Sequence, residues 1–438
     1  MRAPEQRRKT CARPLSPLPH GCATPPSLSC SARRSSLAGL VVVGSGIFGV
    51  TAAIELRKRG HPVRLFDPGP LPHPLAASTD ISKVVRLEYG ADEGYTALAE
   101  EAIEGWRRWN RDLGAALYHE TGLLLLRRGP LERGTFELDS FEVLSRRAHR
   151  SELLDAAAVR ARFPAWNAER YPHGTFNAEG GYAESGKVVG RLVEVAARLG
   201  VEIPQGVAFA GLLYDGGEAT GRVRGILTAG GERIEARAVI LALGAWTPHL
   251  LPWLKTELRS TGHPVFHLLP RQPEMFRPER FPVFCADISS TGYYGFPLDP
   301  ESGVVKIARH GPGRSMHPES PDRQVTAQET EELRAFLAAT FPTLVDAEIV
   351  HTRVCLYCDS WDGHFWIAPD PDRPGLFLAA GDSGHGFKFA PVLGGLIANM
   401  VEGREQPLLA RFRWRPGIRP DRTDEAARMT EASTALPE

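Results

Sequence analysis

The stretch Leu40-Val41-Val42-Val43-Gly44-Ser45-Gly46-Ile47-Phe48-Gly49 decides the fold of this chain. Its four apolar, mostly β-branched residues suit a short strand buried on both faces. Gly44-x-Gly46-x-x-Gly49 then stands between that strand and an amphipathic stretch on which Ile47, Val50, Ile54 and Leu56 are apolar. In this context a glycine motif of this spacing signals a dinucleotide. Gly44 permits the tight turn, Gly46 lets the backbone approach a pyrophosphate, and Gly49 lets the helix lie close on the strand. Arg57-Lys58-Arg59 suit the negative end of the helix, and Gly60 stops it. Val63-Arg64-Leu65-Phe66-Asp67 reads as the second strand. Its terminal acid is placed to accept hydrogen bonds from ribose hydroxyls, and it disfavours a 2′-phosphate. The plain alternative is a glycine turn followed by an ordinary surface aspartate. Strand, helix and acid together favour a dinucleotide, without separating NAD from FAD.

Working outward, Tyr95, Leu98, Ala102, Trp106, Trp109 and Leu113 fall three or four apart and predict a helix over 95–113. Strands are expected at 122–128, 201–203, 238–242 and 376–379, and helices at 186–199 and 391–401. From Pro264 to Ala308 short strands alternate with turns such as Ser289-Ser290-Thr291-Gly292, the pattern of an antiparallel sheet. The α/β pieces are therefore split between the beginning, middle and end of the chain, with two insertions of different character between them. Residues 411–438 are polar and aperiodic and read as a loose C-terminal tail.

Composition sets the outer limits. The 438 residues leave room for about three domains of ~150 residues, or two assembled from separate pieces. Lys+Arg and Asp+Glu both number 52, so no overall basic field argues for nucleic acid. The longest apolar candidate for a membrane span, Leu40 to Ile54, has 15 residues and three glycines, short of the ~18–20 needed. Residues 1–38 carry seven basic residues, one acid, six prolines and six serines. They read as a disordered basic tail, with a targeting segment as the alternative. Of the six cysteines, Cys285, Cys355 and Cys358 lie in the body. That is too few for a disulfide scaffold, so a reducing, cytoplasmic setting is the default. Cys355-x-x-Cys358 has no second such pair or His pair to complete a zinc site, and no metal is expected.

Several further blocks occur in order: Ser82-Lys83-Val84-Val85-Arg86-x-x-Tyr89-Gly90, Tyr294-Gly295-Phe296-Pro297, Lys306 to His310, Val354-Cys355-Leu356-Tyr357, Asp362-Gly363-His364-Phe365, and Gly381-Asp382-Ser383-Gly384-His385-Gly386-Phe387-Lys388-Phe389. Together with the glycine loop they resemble the monomeric sarcosine oxidase family over most of 39–405. That family belongs to the D-amino-acid-oxidase-like flavoproteins and includes fructosyl amino acid, N-methyltryptophan and pipecolate oxidases. The resemblance implies an α/β fold. A Rossmann-type FAD-binding domain would be assembled from 39–90, 175–245 and 345–410. Residues 91–174 and 246–344 would form a substrate domain with a mainly antiparallel sheet.

The resemblance also implies roles. FAD would be bound by Gly44, Gly46, Ile47, Gly49, Asp67, Lys83, Val207, Gly384, Gly386 and Lys388, and joined covalently to Cys355. Arg86 and Lys388 would hold a substrate carboxylate. Lys306 would stand beside the flavin and assist its reaction with oxygen, and His310 and Tyr294 would line the substrate pocket. Taken one at a time, Lys306 can be a solvent-facing strand lysine, Arg86 and Lys388 surface cations, His310 a core histidine and Cys355 a small buried hydrophobe. Lysine at position 83, where sarcosine-type members often carry arginine, points toward the fructosyl amino acid and pipecolate branches. The expected activity is an FAD-dependent amine oxidase acting on a secondary or N-substituted α-amino acid with O2, as a monomer. A dehydrogenase passing electrons to a carrier and a non-catalytic flavin-binding protein are the alternatives.

Overall fold

The structure, a computed structural model, describes residues 39–216, 221–420 and 425–428. The basic tail expected over 1–38 lies outside the described residues. The run that opens the body forms the strand Leu40–Val43, buried along its whole length. It is flanked in parallel by Val63–Phe66 on one side and Ala238–Leu241 on the other. Leu376–Ala380 continues the parallel sheet, and Trp366–Pro369 closes it as an antiparallel edge. Short fully buried strands with apolar residues at every position are what a sheet covered on both faces requires. The covering helices are Ile47–Lys58, Ser185–Arg198 and Ala390–Glu402. Their apolar residues share one core with Leu40, Val42, Leu65 and Ile240 on one face of the sheet, while Val41, Val43, Val239 and Leu241 on the other face pack in a second core with Val223, Ile226 and Ile234.

A second, larger sheet holds the strand Leu258–Leu269, paired along its length with Glu348–Ser360 and on its other edge with Val305–Arg309. Tyr293–Leu298, Val283–Ala286, Leu123–Arg127, His173–Asn177 and Ser151–Asp155 follow in that order. All its pairings are antiparallel except that of Val283–Ala286 with Leu123–Arg127. A separate core rich in aromatic rings, including Trp166, Phe281, Phe284 and Phe341, packs on it.

Four expectations need correction. Residues 348–360, placed with the parallel sheet in sequence, belong to the antiparallel one; a strand of 13 residues outreaches the four- and five-residue strands of the parallel sheet and finds a 12-residue partner in Leu258–Leu269. His173–Asn177 joins the same large sheet. The strand expected at 201–203 is reduced to a single bridge between Glu202 and Arg64. The C-terminal stretch is not loose where it is described: Phe412, Arg415, Glu425 and Ala427 are buried. Their burial depends on partners from about 50 to more than 300 residues away, which local periodicity does not register. The helix Ala327–Thr340 was not singled out, although Thr326 and Glu329 form a reciprocal capping box at its start. Among the described residues no helix is long and apolar enough to cross a membrane.

Candidate active site

The glycine loop is a backbone device. Gly44 has a φ of +96°, and a Cβ there would lie 2.2 Å from the Ala242 carbonyl oxygen. A Cβ on Gly49 would lie 1.8 Å from the oxygen of Gly44, so helix and strand meet only because both residues lack side chains. The helix begins at Gly46 without a side-chain cap, which leaves first-turn N–H groups for an anion. One of them, Ile47 N–H, donates to Ser78 Oγ at 3.1 Å. Asp67 is buried and braces the loop: its Oδ2 accepts from the Ser45 N–H and hydroxyl, both at 2.8 Å, and its Oδ1 from Gly69 N–H at 2.9 Å.

A cavity of about 250 Å³ starts at Gly44, Gly46, Ile47 and Asp67 and reaches Lys83, Cys355, Tyr357, Gly384 and Gly386. A Cβ on Gly46 would meet nothing nearer than Ser78 Oγ at 3.6 Å, so this wall is open backbone of the kind a pyrophosphate needs. Val207 does not line the cavity; its neighbours Ala208 and Phe209 do, while its own N–H donates to the Asp67 carbonyl.

The far end of the cavity is made by one face of the large sheet. Alternation along Glu348–Ser360 puts Cys355, Tyr357 and Asp359 on one side and Leu356 and Cys358 on the other. Cys355 packs with Val265, Ala308 and Tyr357, whereas Cys358 sits in the core with Leu241 and Trp366. The two thiols therefore cannot serve a common metal or disulfide. Burial pushes the Cys358 thiol up. Lys83 Nζ donates to Cys355 Sγ at 3.3 Å. Burial opposes charge on Lys83, but Cys355, Asp80 and Tyr294 outweigh it and leave its pKa raised.

A second cavity of about 60 Å³ adjoins the first and shares Lys83, Tyr357, Gly384 and Phe387 with it. Its wall brings together Arg86, Tyr294, His310, His385, Lys388 and Glu425. Arg86 is buried against the rings of Tyr89 and Phe136. Its Nη2 lies 3.3 Å from Glu425 Oε1, and its Nη1 has no hydrogen-bond partner. Lys388 sits in a 3₁₀ turn between the last parallel strand and its helix, and its Nζ donates to the His385 carbonyl at 3.1 Å. Burial and Arg86 hold its pKa well below the usual ammonium range, against the pull of Glu425. Burial raises Tyr294 to about 12, so its hydroxyl stays protonated.

Lys306 differs from expectation. It is fully buried and lines neither cavity. Its Nζ is drawn onto Asp80 Oδ2 at 2.8 Å and the Ser82 carbonyl. Lys83 lies 3.7 Å from the same carboxylate. Burial lowers Lys306 to about 8, with Asp80 opposing the shift. Burial alone would raise Asp80, but Lys306, His267, Lys83 and Arg353 hold it well below the carboxylate range. Asp80, Glu425 and Arg428 are not named by the sequence reading, and Tyr357 and His385 enter it only within the family blocks, without a role. Tyr357 had a signal, since it shares the face of Cys355 two residues on; Asp80 and Glu425 had none beyond their charge.

A glycine-braced nucleotide cleft opening onto a buried cationic pocket defines a dinucleotide-dependent oxidoreductase. Residues 40–400 match the sequence model of the family described as FAD dependent oxidoreductase (DAO), and the chain belongs to that family. Its cofactor is FAD. The chain is 30% identical to L-saccharopine oxidase of Schizosaccharomyces pombe, with 86% of this chain and 93% of that protein covered. It is 26% identical to a monomeric sarcosine oxidase of Bacillus sp., covering 83% and 91%. Among solved structures, the fructosamine oxidase Amadoriase II of Aspergillus fumigatus superposes with a TM-score of 0.77 at 27% identity, covering 90% of this chain and 94% of that one.

Proposed function

We propose that this chain oxidises a secondary or N-substituted α-amino acid, sarcosine-, fructosyl amino acid- or pipecolate-like, to an imine that water then hydrolyses, while O2 is reduced to hydrogen peroxide. The observation that carries this reading is the shared wall: the cavity lined by Arg86, Lys388, His310 and Tyr294 is separated from the glycine-loop cavity only by Lys83, Tyr357, Gly384 and Phe387. Relatives named for sarcosine, saccharopine and N-methyl-L-tryptophan support the substrate class. When bound, FAD supplies the two-electron acceptor that no side chain provides and passes the electrons to oxygen.

Gly44, Gly46, Ile47, Gly49 and Asp67 would hold its dinucleotide half. Lys83, Gly384, Gly386 and Lys388 would serve toward its ring end, with Cys355 as the point of covalent attachment, while Val207 would act only through its backbone contact with Asp67. The parallel sheet and its helices would form the FAD-binding domain and the large sheet the substrate domain. Arg86 presents a fork suited to a carboxylate, and Lys388 adds a charge that an arriving anion stabilises. Fixing the carboxylate orients the C–H bond to be broken, an effect that contributes several kcal/mol to such reactions. His310 and Tyr294 shape the remaining wall, and burial excludes water. Lys306, which lines neither cavity, would assist oxygen only through its field as a buried cation. The chain would act as a monomer in a reducing, cytoplasmic setting, in keeping with the three buried free thiols among its described residues.

The test is a panel of N-methyl, N-fructosyl and cyclic amino acids offered to the purified yellow protein, with peroxide and reduction of an artificial acceptor measured side by side. Peroxide in step with substrate supports an oxidase. Acceptor reduction without peroxide supports the second reading, a dehydrogenase, which the Lys306–Asp80 pair favours because it ties up the cation expected beside oxygen. Colour that stays with acid-precipitated protein, and leaves it in Cys355→Ser, tests the covalent link.

A further inference from the structure

We infer that Glu425 is an intramolecular carboxylate ligand of the substrate pocket, a specificity residue that a substrate's carboxylate must displace to reach Arg86. The inference rests on the anchoring role given to Arg86 above. Glu425 belongs to neither insertion and lies beyond the 40–400 stretch shared with the family. Yet it is buried, with Oε1 3.3 Å from Arg86 Nη2 and Oε2 3.1 Å from His310 Nε2. Among the described residues it is the one carboxylate in the wall of a cavity whose basic members are Lys83, Arg86, His310, His385 and Lys388. Buried cations without a counter-charge are strongly unfavourable, and Glu425 provides one where the substrate's own anion is expected to sit.

Its placement is built in. Arg428, one turn on, forms a two-pronged ion pair with Asp359 at 2.6 and 2.7 Å, and both side chains are buried. Asp359 also accepts a hydrogen bond from Thr261 and lies on the same strand face as Cys355 and Tyr357. Arg428 Nη2 reaches the Gly311 carbonyl at 3.3 Å, and Ala427 is buried between the two charged residues. The segment is thus pinned to the large sheet beside the pocket, and Glu425 is held on the anchor by a tether that does not itself touch Arg86. Two carboxylates on one guanidinium repel, so the anchor is shared by competition. The apparent affinity for any carboxylate then falls by the fraction of time Glu425 holds the site. Ligands lacking an anion have nothing to displace it with.

The experiment uses the FAD-loaded full chain and acetate, a carboxylate without an amine, with binding read by calorimetry and by perturbation of the flavin spectrum. Glu425→Gln keeps shape and removes charge; it is expected to bind acetate about tenfold tighter and to lower KM for a turned-over amino acid more than it lowers kcat. Arg428→Met leaves Glu425 in the chain but cuts its tether, and is expected to shift acetate affinity in the same direction. Unchanged or weaker acetate binding in a folded, yellow Glu425→Gln protein overturns the inference. So does a raised KM with acetate affinity unmoved, which would assign Glu425 to the substrate nitrogen. If no amino acid is oxidised but acetate still tightens, the inference stands and the substrate assignment falls.

Discussion

The two ends of the cleft are built from different materials. The nucleotide end is backbone: Gly44, Gly46 and Gly49 act through missing side chains, and Asp67 braces the loop through three hydrogen bonds. The three glycines, Asp67 and the donors to Asp67 all fall within residues 44–69. The catalytic end is side chain: Arg86, Tyr294, His310, Lys388 and Glu425 converge from separate segments, and its cations are balanced by Asp80 and Glu425. A backbone device tolerates no side chain at Gly44 or Gly49 and is written in one motif. A charge cluster is adjustable and is written across the whole chain.

Substitutions should separate the two ends. The largest effect is expected from Gly49→Val, whose Cβ would collide with the Gly44 carbonyl at 1.8 Å. It should leave a protein that retains no flavin, measured as the flavin-to-protein ratio. Arg86→Met should keep flavin and lose kcat/KM for carboxylate substrates on the order of 10²–10³-fold, the cost of truncating one partner of a buried charge pair; Arg86→Lys should recover part of it. If Arg86→Met loses flavin instead, the two ends are not independent. Lys306→Met should slow reoxidation by O2 on the order of 10²-fold while anaerobic reduction by substrate changes only a few-fold, both read by stopped flow.

The same lysine gives a pH dependence. Its ammonium is protonated below a pKa of about 8 and neutral above it, so the oxygen reaction should weaken as pH rises through that value, and Lys306→Arg should flatten the profile. The smallest effect is expected from Asp67→Asn, which weakens the loop's brace by ~1 kcal/mol and should loosen FAD about fivefold in a fluorescence titration made in the Cys355→Ser background.

Much of the first end was legible in sequence. The run 40–43, the glycine spacing and Asp67 each carry a local signal, and the structure places strand, turn and helix within a residue or two of expectation. The antiparallel sheet was legible from turn spacing, but its longest partner, Glu348–Ser360, was not, because pairing with Leu258–Leu269 is a relation between distant segments. The family blocks named the cations of the second end. They did not name the anions: Asp80 looks like any loop acid, and Glu425 lies in a polar stretch whose composition suggests solvent. Lys306 shows the consequence, since its unforeseen pairing with Asp80 removes it from the cavity wall.

The most direct test of the account mixes the yellow protein with N-substituted α-amino acids in the absence of oxygen and then readmits oxygen. At least one of them should bleach the flavin in wild type, Arg86→Met should be bleached far more slowly, and oxygen should restore the colour with one peroxide per substrate oxidised. A flavin-loaded protein that none of them bleaches, or one whose bleaching is indifferent to Arg86, would contradict it.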